Sequence, residues 1–228
     1  MKKMGMGAAA VLLMGAGVAS ADVLEFNLNR VFSGTQASGY VNVKLTQVGN
    51  DVELVLTSFL AAGEFVDGTT PSRQGNQGGI FLNFNPAKDI SKLAISSATV
   101  VSGQFTASTH AISTDAYQAD GDGLYDIRID FGNPAGQRFD GSDVAKFTFT
   151  FGTALESIAA ADFKFDSSPG PGTSSGPFLA AGHIQGIGPS ADDSGFHSPT
   201  LVPLPQPVWY GLAGLGLAGA VSIIKRRR

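Results

Sequence analysis

The chain has 228 residues, 43% of them hydrophobic and 15% charged, enough for one ordinary globular domain plus short apolar segments. The formal net charge of −4 hides a segregation: Lys2, Lys3 and the cluster Lys225-Arg226-Arg227-Arg228 sit at the extremes, while between Asp22 and Thr200 nine Lys and Arg face nineteen Asp and Glu, a net −10. Such an acidic domain repels phosphate backbones, which excludes nucleic acid as a partner, and a cysteine count of zero excludes disulfides, thiolate zinc sites and a cysteine nucleophile.

Residues 1–21 open with Met1-Lys2-Lys3, continue through an apolar and small run from Met4 to Val18, and end in Ala19-Ser20-Ala21. A positive start, a short apolar stretch and a small-x-small site define a secretory signal peptide, cut after Ala21. The run is rich in Gly and Ala and short for a stable membrane span.

From Val23 the apolar residues recur with period two: Leu24, Phe26 and Leu28, then Val41, Val43 and Leu45, then Val52, Leu54 and Leu56. That period predicts strands, and the link Val48-Gly49-Asn50-Asp51 predicts a β-hairpin between the second and third. Further strands are expected at Ile80 to Phe84, Leu93 to Val101, Tyr125 to Phe131, Val144 to Phe151, Asp162 to Phe165 and Phe178 to Ile187. About nine short strands with Gly, Asp, Asn and Pro punctuation predict an all-β domain over 22–187, an antiparallel β-sandwich of jelly-roll type. Gly63 to Gly79 and Asp166 to Gly176 read as long loops, and 188–201, polar and rich in Gly, Ser and Pro, as a linker.

Within the domain, Asp120-Gly121-Asp122-Gly123-Leu124-Tyr125-Asp126 places carboxylates around glycines, so Asp120, Asp122 and Asp126, with Asp115 or Asp130 nearby, form a candidate calcium site. The glutamate that would close an EF-hand is missing, because the twelfth residue from Asp120 is Phe131. The same run also reads as a Gly-rich turn whose Asp side chains bond their own backbone. His110, His183 and His197 would make a zinc site only by converging with a carboxylate; isolated histidines are more often ordinary polar residues. Gly172-Thr173-Ser174-Ser175-Gly176 fits the Gly-x-Ser-x-Gly string without the strand before and helix after that a nucleophile elbow needs. The only glutamates, Glu25, Glu53, Glu64 and Glu156, show no pairing of the kind glycoside hydrolysis demands.

The last 27 residues, VPLPQPVWYGLAGLGLAGAVSIIKRRR, have three parts. Pro203, Pro205 and Pro207 lack N–H donors and fix φ, which holds the segment extended. Val208 to Ile224 is uncharged and, at 1.5 Å per residue, makes roughly 25 Å of helix, enough for a thin bilayer core. Trp209 and Tyr210 fall at one interface and the basic cluster Lys225, Arg226, Arg227 and Arg228 at the other, which should stay cytoplasmic and leave the domain outside. The tail, 202–228, resembles the VPLPA variant of the PEP-CTERM sorting signals, in which a proline motif, an apolar span and an Arg-rich cluster follow one another. Here Pro203-Leu204-Pro205 replaces the Pro-Glu-Pro of the family name, and Gln206 stands where the variant has alanine. The resemblance implies that Val202, Pro203, Leu204 and Pro205 are recognised by an exosortase, a membrane-embedded cysteine transpeptidase. It also implies a membrane-held precursor, then a cell-surface or extracellular protein associated with extracellular polysaccharide. The layout is similar to the short sandwich domains that often precede such tails.

The expected function is therefore a non-enzymatic surface or matrix protein of structural or interaction type. The alternatives are a calcium-assisted carbohydrate-binding module, with Tyr117 and Tyr125 as candidate aromatic platforms, and a secreted hydrolase. Calcium is the one cofactor the residues point to.

Overall fold

The computed structural model describes residues 22–68, 78–106, 110–153, 155–172 and 175–201. The expected signal peptide (1–21), the expected sorting motif Val202 to Pro205, the apolar run after it and the basic cluster Lys225 to Arg228 lie outside the described residues. Among the described residues no helix is long and apolar enough to cross a membrane.

The chain is all-β and antiparallel. Its strands are β1 (Val23–Gly34), β2 (Val41–Val48), β3 (Asp51–Ser58), β4 (Phe65–Val66), β5 (Ile80–Leu82), β6 (Leu93–Ser102), β7 (His110–Gln118), β8 (Leu124–Ile129), β9 (Phe139–Asp140), β10 (Val144–Phe151), β11 (Ala180–Ile187) and β12 (Asp193–Leu201). They form one hydrogen-bonded path, β6-β10-β3-β2-β1-β12-β11-β5-β8-β7, with β4 pairing β11 and β9 off that path. The two end strands, β6 and β7, touch, so the sheet curls almost into a barrel.

Period-two patterning explains the first three strands. In β3 the residues alternate strictly between half-buried and buried, with Val52, Leu54, Leu56 and Ser58 inward, and in β10 Ala145, Phe147, Phe149 and Phe151 do the same. Gly49-Asn50 closes the β2–β3 hairpin, with Val48 opposite Asp51 and Gly49 at φ 65°, a left-handed conformation that glycine adopts without a Cβ penalty. The core runs from Phe26 and Leu28 through Leu45, Leu54 and Phe147 to Phe163 and Ile184, each fully or almost fully buried. Burying each such side chain contributes about 1.5–3 kcal/mol.

Three regions depart from the sequence reading. Asp162 to Phe165, expected as a strand, contributes instead to a 3₁₀ turn at Ala160–Phe163, because Asp162 Oδ2 accepts the Ala159 N–H at 2.9 Å and the Asp162 N–H returns to the Ala159 carbonyl at 3.0 Å. Within 188–201, read as a linker, Asp193–Leu201 is β12, held in mid-sheet between β1 and β11. Its small residues are what the position needs: Gly34 and Gly195 face one another across β1 and β12, and a Cβ on either would strike the opposite backbone. The expected loop from Gly63 to Gly79 contains β4 and a buried run from Glu64 to Asp67. β7 was not foreseen either; nearly all its residues are partly or fully exposed, so they lack the apolar alternation of a half-buried strand.

Candidate functional site

β7 and β8 pair regularly at His110↔Ile129, Ala111↔Arg128 and Ile112↔Ile127, and resume at Tyr117↔Tyr125. Five steps on β7 thus match two on β8, so β7 carries three extra residues as a bulge. Asp126 is the β8 residue facing that bulge. Its Oδ1 accepts the Asp115 N–H at 2.9 Å and its Oδ2 accepts the Phe84 N–H at 2.9 Å. One buried carboxylate therefore ties three segments together: β8, the β7 bulge and the loop that follows β5. Asp115 sits at φ 48°, in the left-handed region that a residue with a Cβ enters only at a cost of about 1–3 kcal/mol.

These segments enclose a cleft of about 320 Å³, lined on one side by Asn83, Phe84, Lys88, Asp89 and Ile90 and on the other by Thr114, Asp115, Asp126, Phe165, Asp166 and Ser168. Lys88 turns its charge away, to Asp162 Oδ2 at 2.8 Å and the Ser157 carbonyl at 2.8 Å. Asp89 caps the turn at Ile90–Lys92, accepting from the Ser91 N–H at 3.1 Å and the Ser91 hydroxyl at 2.7 Å, and these bonds hold its carboxyl below the usual range. Asn83 is 3% exposed, and its Nδ2 has no hydrogen-bond partner. Leaving such a donor buried and unpaired costs about 1–3 kcal/mol.

The three residues of the predicted calcium site are not gathered on one point. Asp120 is exposed and accepts from the Ser33 hydroxyl at 3.1 Å. Asp122 is fully buried and accepts from the Tyr125 hydroxyl and, at 2.9 Å, from the Ser167 hydroxyl. Burial pushes the Asp122 carboxyl up, against the opposing effect of those two hydroxyls. Asp126 spends both oxygens on backbone amides. Of the neighbours considered with them, Asp115 lies on the bulge, and Asp130 receives the Arg128 Nε–H at 2.9 Å. Among the described residues no group of three or more His, Asp or Glu side chains is placed to hold a metal ion. Tyr117 and Tyr125, considered as aromatic platforms, are both buried; Tyr117 lies under the Arg128 guanidinium, 5.0 Å from ring centroid to Cζ.

Two of the three histidines are brought together. His183 on β11 faces Phe196 on β12 and stacks on it with centroids 4.2 Å apart, while the neighbouring Gly182 faces His197. His183 Nδ1 lies 2.9 Å from Asp67 Oδ2. His197, with no solvent exposure, accepts the Ala37 N–H at Nε2 (3.0 Å), and its Nδ1–H donates to the Gly195 carbonyl at 3.1 Å. That arrangement needs the neutral ring. Burial holds its pKa below the ordinary histidine value; the Gly195 carbonyl and Glu64 oppose the shift and His183 adds to it. Glu64, also buried, accepts three backbone N–H groups, from Ser38 at 2.6 Å, Gly39 at 3.0 Å and Ala61 at 3.0 Å. His110 is exposed on β7, separated from β11 by β5 and β8.

The remaining candidates stand apart. Glu25 accepts from Asn42 at 3.1 Å, Glu53 pairs with Lys146 at 3.0 Å and Glu156 with Lys92 at 2.5 Å. Ser175 gives its backbone N–H to the Gly121 carbonyl at 2.7 Å, and Ser174 lies outside the described residues. The cleft itself escaped the sequence reading because Asn83, Asp115, Asp126 and Asp166 are spread over eighty-odd positions and meet only through strand pairing. Comparison with family models, curated proteins and solved structures finds no match to this chain.

Proposed function

We propose that this is an exported surface or extracellular-matrix protein of non-enzymatic, interaction type, carried to the membrane by its leader and processed there by an exosortase. The observation that carries the reading is the tail, where Val202-Pro203-Leu204-Pro205, an uncharged span from Val208 to Ile224 and Lys225 to Arg228 follow one another at the end of a chain that starts with a signal peptide. The prolines keep the motif extended and open to a processing enzyme. The span and basic cluster hold it at the membrane until the cut is made. The acidic β-domain is then the exported cargo, and the same reading takes it as a jelly-roll-like sandwich. Two five-strand halves, β6-β10-β3-β2-β1 and β12-β11-β5-β8-β7, meet along the β1–β12 seam, and the chain crosses repeatedly from one to the other.

Deleting 202–228 is expected to abolish membrane retention and processing, seen as a shift of the protein between membrane, surface and medium fractions. Intact-mass measurement of the mature protein is expected to show cleavage after Ala21 and loss of the basic end. Unchanged fractionation of the deletion strain, or a mature mass that keeps Lys225 to Arg228, overturns the reading.

A further inference from the structure

We propose that the end of the β-domain from which the tail departs docks on the bilayer that holds the tail, inserting Val48 and Leu155 among the lipid headgroups. The docking rests on the reading of Val208 to Ile224 as a membrane span, and extends it to a surface of the folded domain.

The strand directions fix which end that is. β12 and β2 both run antiparallel to β1, so both head for the end where β1 starts. Leu201, the last residue of β12, is opposite Phe26, which on its other side is opposite Val43. β2 continues from Val43 to Val48 before the chain turns at Gly49-Asn50, so the hairpin runs five residues past the level at which the tail leaves. β10 is antiparallel to β3 and ends at Phe151 on the same side. The loop after it is tied to the hairpin tip by the Ile158 N–H, which donates to the Asn50 carbonyl at 3.1 Å.

This leading tip turns apolar side chains to solvent: Val48 is 56% exposed and Leu155 is 96% exposed. Its charges offer lipid phosphate no attraction, because Asp51 is acidic and Glu156 is paired with Lys92 at 2.5 Å. Removal of apolar surface from water is therefore the force that would hold it.

The tether says what covers the tip. Only six residues, 202–207, separate Leu201 from Val208, where the span starts. At about 3.3–3.6 Å per residue, the seven steps between them reach at most roughly 23–25 Å. The hairpin already takes up about 17 Å of that reach, or about 12 Å once sheet twist across β1 is allowed for. At full stretch, then, roughly 6–13 Å separate the tip from the hydrocarbon, against a headgroup layer of about 5–7 Å per leaflet. Any slack brings Val48 and Leu155 into that layer. The tether also holds them at an effective concentration on the order of millimolar, so a contact too weak to retain a free domain is enough.

The chain has no cysteine, so a single introduced thiol carries a nitroxide label. One label goes on the exposed Thr153 in the tip loop, another on Val101, 57% exposed on β6 at the opposite end of the sheet. The full chain is placed in phosphatidylcholine nanodiscs with a nickel-chelating lipid as relaxation agent. The Thr153 label should be relaxed at least about fivefold more than the Val101 label, which stands about 25 Å further from the bilayer. Val48→Asp combined with Leu155→Asp should cut that ratio to below about twofold while leaving melting unchanged, since both side chains are exposed. Equal relaxation of the two labels, or a ratio that survives the double substitution, overturns the docking. A ratio that appears only when an exosortase shares the nanodisc also overturns it, because the tip then meets protein rather than lipid. Flotation with lipid is read first and reports on the tail alone. A chain that does not float overturns the span and the docking together, whereas a floating chain with equal labels overturns the docking and leaves the span standing.

Discussion

In the half β6-β10-β3-β2-β1, the β2–β3 ladder runs without a break from Val41↔Ser58 to Val48↔Asp51, β3–β10 is equally regular from Val144↔Thr57 to Phe149↔Val52, and the register shifts at Val144/Ala145 and Thr148/Phe149 are confined to the pairing of β10 with the end strand β6. Its strands bury apolar side chains and, among the described residues, Ser58 is their one fully buried polar residue. In the half β12-β11-β5-β8-β7, β11 breaks register at Gln185/Ile187 and β7 bulges by three residues, while the strands bury Asp126, His183, His197 and Ser198. Regularity costs nothing when every inward group is apolar. Each buried polar group must instead be matched by a partner, and the β7 bulge is where the backbone leaves its ladder to provide one, the Asp115 N–H for Asp126. The contrast teaches where to look for chemistry: the regular half holds the fold, and the irregular half holds the cleft.

The strongest way to break that comparison is at an ion pair inside the irregular half. Arg128 and Asp130 are 12% and 4% exposed and meet at 2.9 Å, with the guanidinium also over Tyr117. Removing one partner of a buried pair leaves the other charge desolvated and costs about 3–5 kcal/mol. Arg128→Ala should lower unfolding free energy by that amount in urea titration, with the two-state transition preserved. A loss under 1 kcal/mol would mean that the buried polar groups of this half are not structural supports of the cleft.

His197 sharpens the comparison through pH. Its folded-state pKa is lowered, chiefly by burial, so the unfolded chain binds the proton more readily. The stability this contributes is present above the unfolded value, near 6.5, and is lost as pH falls below it towards the folded value. One proton changes stability by at most about 1.4 kcal/mol per pH unit. Protonation must also expel the Ala37 N–H from Nε2, and Glu64 and His183 are the charged or titratable groups that face the ring. Between pH 7.5 and 5.5 the wild type should therefore lose more stability than His197→Gln, measured by urea unfolding at each pH. Equal losses would show that His197 does not titrate with unfolding.

How much of this could be read from the sequence follows the same division. Leu24-Phe26-Leu28, Val41-Val43-Leu45 and Val52-Leu54-Leu56 announce their strands because one face is uniformly apolar, and the Gly49-Asn50 turn fixes their register. β12 hid because a strand squeezed between β1 and β11 needs Gly195 and small side chains, the composition that also makes a linker. Asp162 looked like part of an apolar strand, yet its carboxylate captures the Ala159 amide and bends the chain into a turn. The aspartates of 120–126 were visible as a cluster, but adjacent strand residues point to opposite faces and turn residues diverge. Asp122 goes into the Tyr125–Ser167 network and Asp126 to the bulge. Asn83 gave no signal at all, because an orphaned amide is a property of its surroundings.

The smallest effect completes the contrast, at an ion pair on the outer face of the regular half. Lys146 and Glu53 meet diagonally across β10 and β3, where Lys146 is opposite Val55, and stand 3.0 Å apart with side chains 40% and 34% exposed. Water solvates both ends before and after the pair is broken, and salt screens what remains, so such a pair contributes about 0–1 kcal/mol. Lys146→Ala should therefore change stability by less than 1 kcal/mol, and less again in 0.5 M salt, where Arg128→Ala should keep most of its effect. Both substitutions take a cation from a carboxylate one strand or two residues away, so the difference between them measures burial together with the Arg128 contact over Tyr117. If Lys146→Ala proved as damaging as Arg128→Ala, the division between a forgiving outer lattice and a demanding, partner-bound cleft half would be wrong.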